Sequence, residues 1–163
     1  MNLENIAPII VETIQNALSK KVYPFGVGKN RGIGNKVSSG TLRDSVQATV
    51  KQGTEGVDVI EISMAEYGQW VQSGRLPGKK GIPISVIEKW IKQRKLKGRN
   101  QKSGRYITDR SFAFAIQTSI KKFGIQPSNF LDVAIEDMMN NKQITELLGD
   151  AGFDDLINAL EGI

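Results

Sequence analysis

The placement of β-structure constrains this fold most. The two best strand candidates, Thr41 to Gln52 and Val57 to Met64, are adjacent in the chain. The second is rich in β-branched residues, and Ile60, Ile62 and Met64 alternate onto one face. The link Gly53-Thr54-Glu55-Gly56 has the composition of a hairpin turn. Leu42-Arg43-Asp44-Ser45 also reads as a helical turn ahead of the first strand. The other periodic segments are helical. Few, consecutive strands among many helices predict an α+β fold: a small antiparallel sheet, built as a long hairpin, packed against several helices.

The helices announce themselves by spacing. Leu3, Ile6, Ile10, Ile14, Ala17 and Leu18 predict an amphipathic helix near residues 5–20, with Pro8 tolerated in its first turn. Ser63-Met64-Ala65-Glu66 has the pattern of a capping box and predicts a helix carrying Tyr67, Trp70 and Val71, ending at Gly74. A further helix starts at Pro83 or Ser85 and places Ile84, Ile87, Trp90 and Ile91 on its apolar side. Thr108 or Asp109 caps the next, with Phe112, Ala113, Ile116, Ile120 and Phe123 as its stripe. Gly124-Ile125 reads as its Schellman end, with Pro127 beyond. Residues 128–140 continue with Phe130, Leu131, Ala134, Ile135 and Met138.

At 163 residues the chain is long enough for one domain with an ordinary core. Residues 1–140 read as a single α+β domain containing a long basic loop, 23–40, rich in Gly and expected to be mobile. Residues 141–163 read as an acidic C-terminal helical tail. Its apolar face, Phe153, Leu156, Ile157 and Leu160, is too small to fold alone and must dock. Docking on its own domain is the plain reading; docking on a neighbouring copy is the sharper one.

Charge is segregated along the chain. Residues 75–122 hold 14 Lys and Arg against Glu88 and Asp109, whereas 123–163 hold eight Asp and Glu against Lys142. A chain that carries both halves of a charge pair can associate with itself head to tail.

The residue inventory narrows the chemistry. There is no Cys and no His, which removes disulfides, thiolate sites, His-based triads and zinc sites of the usual types. Asp44, Glu55, Asp58, Glu61, Glu66, Glu88 and Asp109 form no recognisable metal-binding set, and the acidic run at Asp150, Asp154 and Asp155 lacks the calcium-loop order. The Gly-rich run GVGKNRGIGNK lacks the order of a phosphate-binding loop and follows a helix instead of a strand. No catalytic residues, metal or cofactor are expected, and the chain is not read as an enzyme. The N-terminus lacks a signal peptide's basic region, and no apolar run approaches the roughly 20 residues of a membrane helix, so a soluble chain assembled in a cytoplasm is expected.

What stands out instead is the segment Tyr67 to Trp90, a short aromatic helix, a basic turn and a second helix. Tyr67, Trp70 and Trp90 read first as packing residues, with an inter-subunit anchor as the functional alternative. The turn holding Arg75, Leu76, Pro77, Lys79 and Lys80 is harder to explain as packing and reads as a presented loop. These eight residues are the candidate interface. Arg94, Lys95, Lys97, Arg99, Lys102 and Arg105, with Tyr106 nearby, are the candidate DNA-facing set. No helix-turn-helix or RNP-type strand accompanies them, so contact without sequence readout is the form expected.

Three phrases together resemble a known family: SSGTLRDSV (Ser38 to Val46), YGQWVQSGRLPGKKGIPISVIEKWI (Tyr67 to Ile91) and RSFAFAIQTSIKKFGIQPSNFLDVAI (Arg110 to Ile135). They look like the small head–tail connector, neck and tail-completion proteins of tailed bacteriophages, with versions from crAss-like and other Bacteroidetes-type phages most alike. The likeness covers about residues 38–135. It implies a structural virion protein that forms a homo-oligomeric ring at the head–tail junction, 12-fold at the neck or 6-fold on the tail side. Its neighbours would be the portal or other neck and tail proteins, with non-specific contact to DNA in the channel. The family supplies no catalytic residues and a similar α+β fold. The alternative from a different class is a non-specific nucleic-acid-binding protein using the basic 75–122 region.

Overall fold

The computed structural model describes residues 3–25, 32–52 and 58–161. After a short 3-10 turn at Leu3–Asn5, helix α1 (Ala7–Ser19) buries Ile10, Ile14, Ala17 and Leu18 at the predicted spacing. Pro8 sits in its first turn, where a missing N–H leaves no bond unmade. This face packs on α6 (Phe130–Met139), whose Phe130, Leu131, Ala134 and Met138 are buried opposite. Helix α7 (Lys142–Glu161), bent at Gly149, adds Ile144, Leu148, Leu156 and Leu160 to the same core. The C-terminal segment therefore docks on its own chain, because its apolar face finds α6 beside it.

Strands β3 (Gln47–Gln52) and β4 (Asp58–Ser63) pair antiparallel from Gln47 opposite Ser63 to Gln52 opposite Asp58. Ile60, Ile62 and Met64 pack on the core as the alternation requires. The proposed turn at 53–56 lies outside the described residues. The first strand is shorter than the run Thr41 to Gln52. Its beginning is the helical turn α2 (Thr41–Asp44), which buries Leu42 beside Val46. Ser45 locks the junction, donating to the Leu42 carbonyl at 2.7 Å and accepting from the Ala65 amide at 2.9 Å. The fold is α+β, as expected.

The long basic loop is in part ordered structure. Strands β1 (Tyr23–Phe25) and β2 (Gly32–Gly34) form a second antiparallel pair, with the loop tip outside the described residues. The Gly content hid an anchor: Tyr23 is 2% exposed, and its hydroxyl donates to the Ala17 carbonyl at 2.5 Å.

The capping box at Ser63 to Glu66 does not form. Ser63 is the last residue of β4, paired with Gln47, and the chain after it runs through an irregular stretch and a turn, so no helix starts there for it to cap. Helix α3 (Gly68–Ser73) starts later, after a turn in which the Gly68 amide donates to Ala65, with no side-chain cap. Helices α4 (Ile84–Gln93) and α5 (Asp109–Phe123) make a second apolar cluster around Ile87, Ile91 and Ala113. Thr108 caps α5 as predicted, accepting from the Ser111 amide at 3.2 Å. The Schellman closure at Gly124-Ile125 is replaced by pairing with another segment. Ile125 and Arg75 exchange backbone hydrogen bonds of 2.8 Å each, so the Ile125 amide is not free to fold back on its helix.

Candidate functional site: an apolar groove and a basic hairpin

Between the two apolar clusters runs a groove of about 470 Å³. Helix α3 contributes Trp70 and Val71, with Tyr67 just before it; α4 contributes Val86, Ile87 and Trp90; Ile116 and Ile120 of α5, then Ile125, close the far side. The aromatic trio singled out in the sequence is thus brought together, but not as core. Gly68 and Val71 take the inward side of α3, leaving Trp70 64% and Tyr67 38% exposed. Trp90 alone packs on the second cluster, half-buried.

Among the described residues the charged lining of the groove is Lys36, Arg43 and Arg94, with no Asp or Glu. Lys36 is fixed by its amide on the Leu18 carbonyl at 3.0 Å and by Nζ on the Pro24 carbonyl at 3.1 Å. Burial, and then the Arg94 charge beside it, pull its pKa down. Arg43 bonds Asp44 at 2.7 Å.

Arg94 corrects one expectation. Sequence places it among the DNA-facing cations, yet it turns inward and donates to both the side-chain and backbone oxygens of Asn35, at 3.0 and 3.1 Å. Burial lowers its pKa. Adjacency in sequence to Lys95 concealed this: Arg94 is the C-cap of α4 and reaches Asn35 after β2, whereas Lys95 turns away in the left-handed region, φ 52°, and is exposed.

The Arg75 to Gly81 turn is tied down at several points. Besides the Arg75–Ile125 bridge, the Gly78 amide donates to the Lys121 carbonyl at 2.8 Å, satisfying an acceptor in the last turn of α5. The Arg75 guanidinium donates to the Lys80 carbonyl, and Gln117 donates to Ile82 at 2.6 Å. Leu76, Pro77, Lys79 and Lys80 remain exposed on this fixed frame, Leu76 at 70%. A rigid loop loses little entropy when it meets a partner.

The second surface is the turn from Gly98 to Ile107. Arg99 and Tyr106 form a bridge, and the Asn100 side chain accepts from the Lys102 and Ser103 amides at 2.9 and 3.0 Å. Gly98 lies under Phe112, where a Cβ would come within 2.5 Å of the ring. The base is thus clamped and the tip built by its own backbone. Arg99, Lys102, Arg105 and Tyr106 are exposed on it, with Lys95 and Lys97 exposed just before it. The Arg99 guanidinium stacks 4.5 Å from the Tyr106 ring centroid and donates to its hydroxyl at 2.6 Å.

Sequence reasoning missed Lys36, Arg43, Val86 and Ile125 as groove residues. They come from four separate segments, and no local pattern marks them. Among the described residues no group of three His, Cys, Asp or Glu could hold a metal ion, and no helix is long and apolar enough to cross a membrane. No family model matches the chain, and neither a curated protein nor a solved structure matches it.

Proposed function

We propose that this chain is a structural protein of the head–tail junction of a tailed phage, associating with copies of itself into a ring around the DNA channel. The observation that carries the association is the apolar surface left uncovered around the groove. Trp70 is 64% exposed, Val86 55% and Ile125 40%, all three lining the groove, and Leu76, 70% exposed, follows Arg75, whose backbone is bonded to Ile125. Clustered exposed apolar and aromatic side chains mark association surfaces, and Trp is the side chain most enriched among binding anchors. The junction itself, the 12-fold or 6-fold count and the portal, neck and tail neighbours come from the resemblance of residues 38–135. The basic hairpin supports a second element of this reading: cations facing DNA without reading its sequence.

The test is the composition of particles. Purified tailed particles from a phage encoding this chain are disassembled and quantified by mass spectrometry. The chain is expected at 12 or 6 copies per particle. Its absence from particles would overturn the proposal.

A specific observation also favours a second reading, a free nucleic-acid-binding protein. Arg99, Lys102 and Arg105 are exposed on one turn beside exposed Tyr106, the arrangement that tracks a phosphate backbone. Salt-dependent DNA binding by a chain missing from particles would select that reading.

A further inference from the structure

Among the described residues the groove lining is apolar with three cations, Lys36, Arg94 and the Asp44-paired Arg43, and no carboxylate. Such a trough favours an occupant that is apolar and acidic, since like charges oppose entry and unlike charges guide it. The same chain displays such a surface. On α6, Asp132, Glu136 and Met139 are all exposed at spacings of four and three, which puts them on one face. Around the corner on α7, Glu146 and Leu147 are exposed as well, as is Lys142 one turn before Glu146, so three carboxylates, Asp132, Glu136 and Glu146, outweigh one cation there. Met139 is 58% and Leu147 39% exposed, whereas their neighbours Met138, Ile144 and Leu148 are buried in the core. The corner is therefore anchored from behind and apolar in front. Asp137 is excluded from it, because it pairs with Lys20 at 2.6 Å.

We infer that the groove receives the α6–α7 corner of a second copy of this chain. Met139 and Leu147 lie against Tyr67 and Trp70, and Glu136 and Glu146 face the Lys36, Arg43 and Arg94 side. The two surfaces differ, so the contact is heterologous: each copy offers one groove and one corner, and association ends only when a ring closes. The inference deepens the ring reading and relies on it for closure; the contact itself rests on exposure and charge.

The chain has no Cys, so introduced thiols report contacts without background. Gln69→Cys, beside Trp70, and Gln143→Cys, one turn before Leu147, replace exposed residues. The two full-length variants are mixed equally, across concentrations up to ~1 mM to capture a weak contact, and mildly oxidised. The mixed disulfide should exceed either same-variant disulfide by about tenfold, a bias equal to ~1.4 kcal/mol. Trp70→Ala in the Gln69→Cys chain should cut its yield about fivefold or more. Glu146→Arg in the other chain should cut it too, and Arg43→Glu in the first should restore it. Dominant Gln69→Cys homodimers would overturn the inference in favour of a two-fold contact. So would a mixed yield no higher than that of Gln69→Cys with Val59→Cys, or capture of a different virion protein by the Gln69→Cys thiol in assembled particles. Mixed disulfides from a chain absent from particles would sink the junction reading alone. A chain present in particles without them would sink this contact alone.

Discussion

Gly74 and Gly124 meet at a crossing of two backbone segments, each occupying the space that the other's segment leaves. A Cβ on Gly74 would lie 2.5 Å from the Ile125 carbonyl oxygen, and one on Gly124 would run into the carbonyl oxygen of Arg75. Both have φ of 72° with ψ near the extended limit, a region that is essentially closed to side chains. The crossing carries the Arg75–Ile125 bridge and so holds the α4–α5 pair against α3 along the groove. Gly74→Ala and Gly124→Ala should each cost about 3 kcal/mol, combining backbone strain with the steric shift. Gly32→Ala, where a Cβ meets nothing within 4 Å, should change stability by no more than about 0.5 kcal/mol. Urea unfolding midpoints of the three variants compare these directly; equal effects would contradict the crossing's role.

Tyr23 gives the fold an alkaline limit. Burial first, then the Asp137 charge, raise its pKa from 10.0 to about 12. Below pH 10 the folded and unfolded chains both keep this proton. Between pH 10 and about 12 the unfolded chain releases it while the folded chain retains it, so stability falls as pH rises, by an amount on the order of 2 kcal/mol. Tyr23→Phe loses the bond to the Ala17 carbonyl and should be about 1 kcal/mol less stable at neutral pH. That deficit should shrink and reverse across the window. A constant difference from pH 8 to 12 would show that Tyr23 does not carry the effect.

The basic hairpin and Arg94 should separate in a salt titration. Exchanging Arg99, Lys102 and Arg105 for Gln together should reduce the slope of log affinity for duplex DNA against log salt by roughly 2.7, three phosphate contacts' worth. Arg94→Gln should leave that slope unchanged and instead lower thermal stability, since its partner is Asn35. Fluorescence anisotropy over a salt series reads the slope. An equal slope change from Arg94→Gln would place it on the DNA side after all.

The end of α7 belongs to the core. A chain stopped after Gly149 loses Leu156 and Leu160, which are 9% and 1% exposed, and should be destabilised by about 3 kcal/mol or more. Circular dichroism melts of the truncated and full chains test this. An unchanged melting temperature would mean that the segment contributes nothing to the fold.

The elements that were legible in the sequence are those whose pattern is local. Ile10, Ile14 and Leu18 lie on one side of α1 whatever surrounds them, and Thr108 caps α5 through its own neighbour Ser111. The β3–β4 pair followed from alternation in adjacent runs. Where local and distant partners competed, the pattern misled. Ser63 had the composition of a cap but ends a strand, with no helix until Gly68, and Ile125 had the place of a Schellman residue but was taken by Arg75.

Periodicity states which side chains share a face, and composition states which chemistry is within reach; both are properties of neighbours along the chain. Whether a face is covered depends on which other segment arrives there. Trp70 and Val71 are adjacent and both apolar, yet Val71 packs on the core and Trp70 stands out over the groove. Arg94 and Lys95 are adjacent and both cationic, yet one is held by Asn35 and the other is exposed. The groove exists because the Gly74–Gly124 crossing sets two helix clusters side by side without filling the space between them. That spacing is a balance of contacts among residues far apart in the chain, which no single stretch of sequence contains.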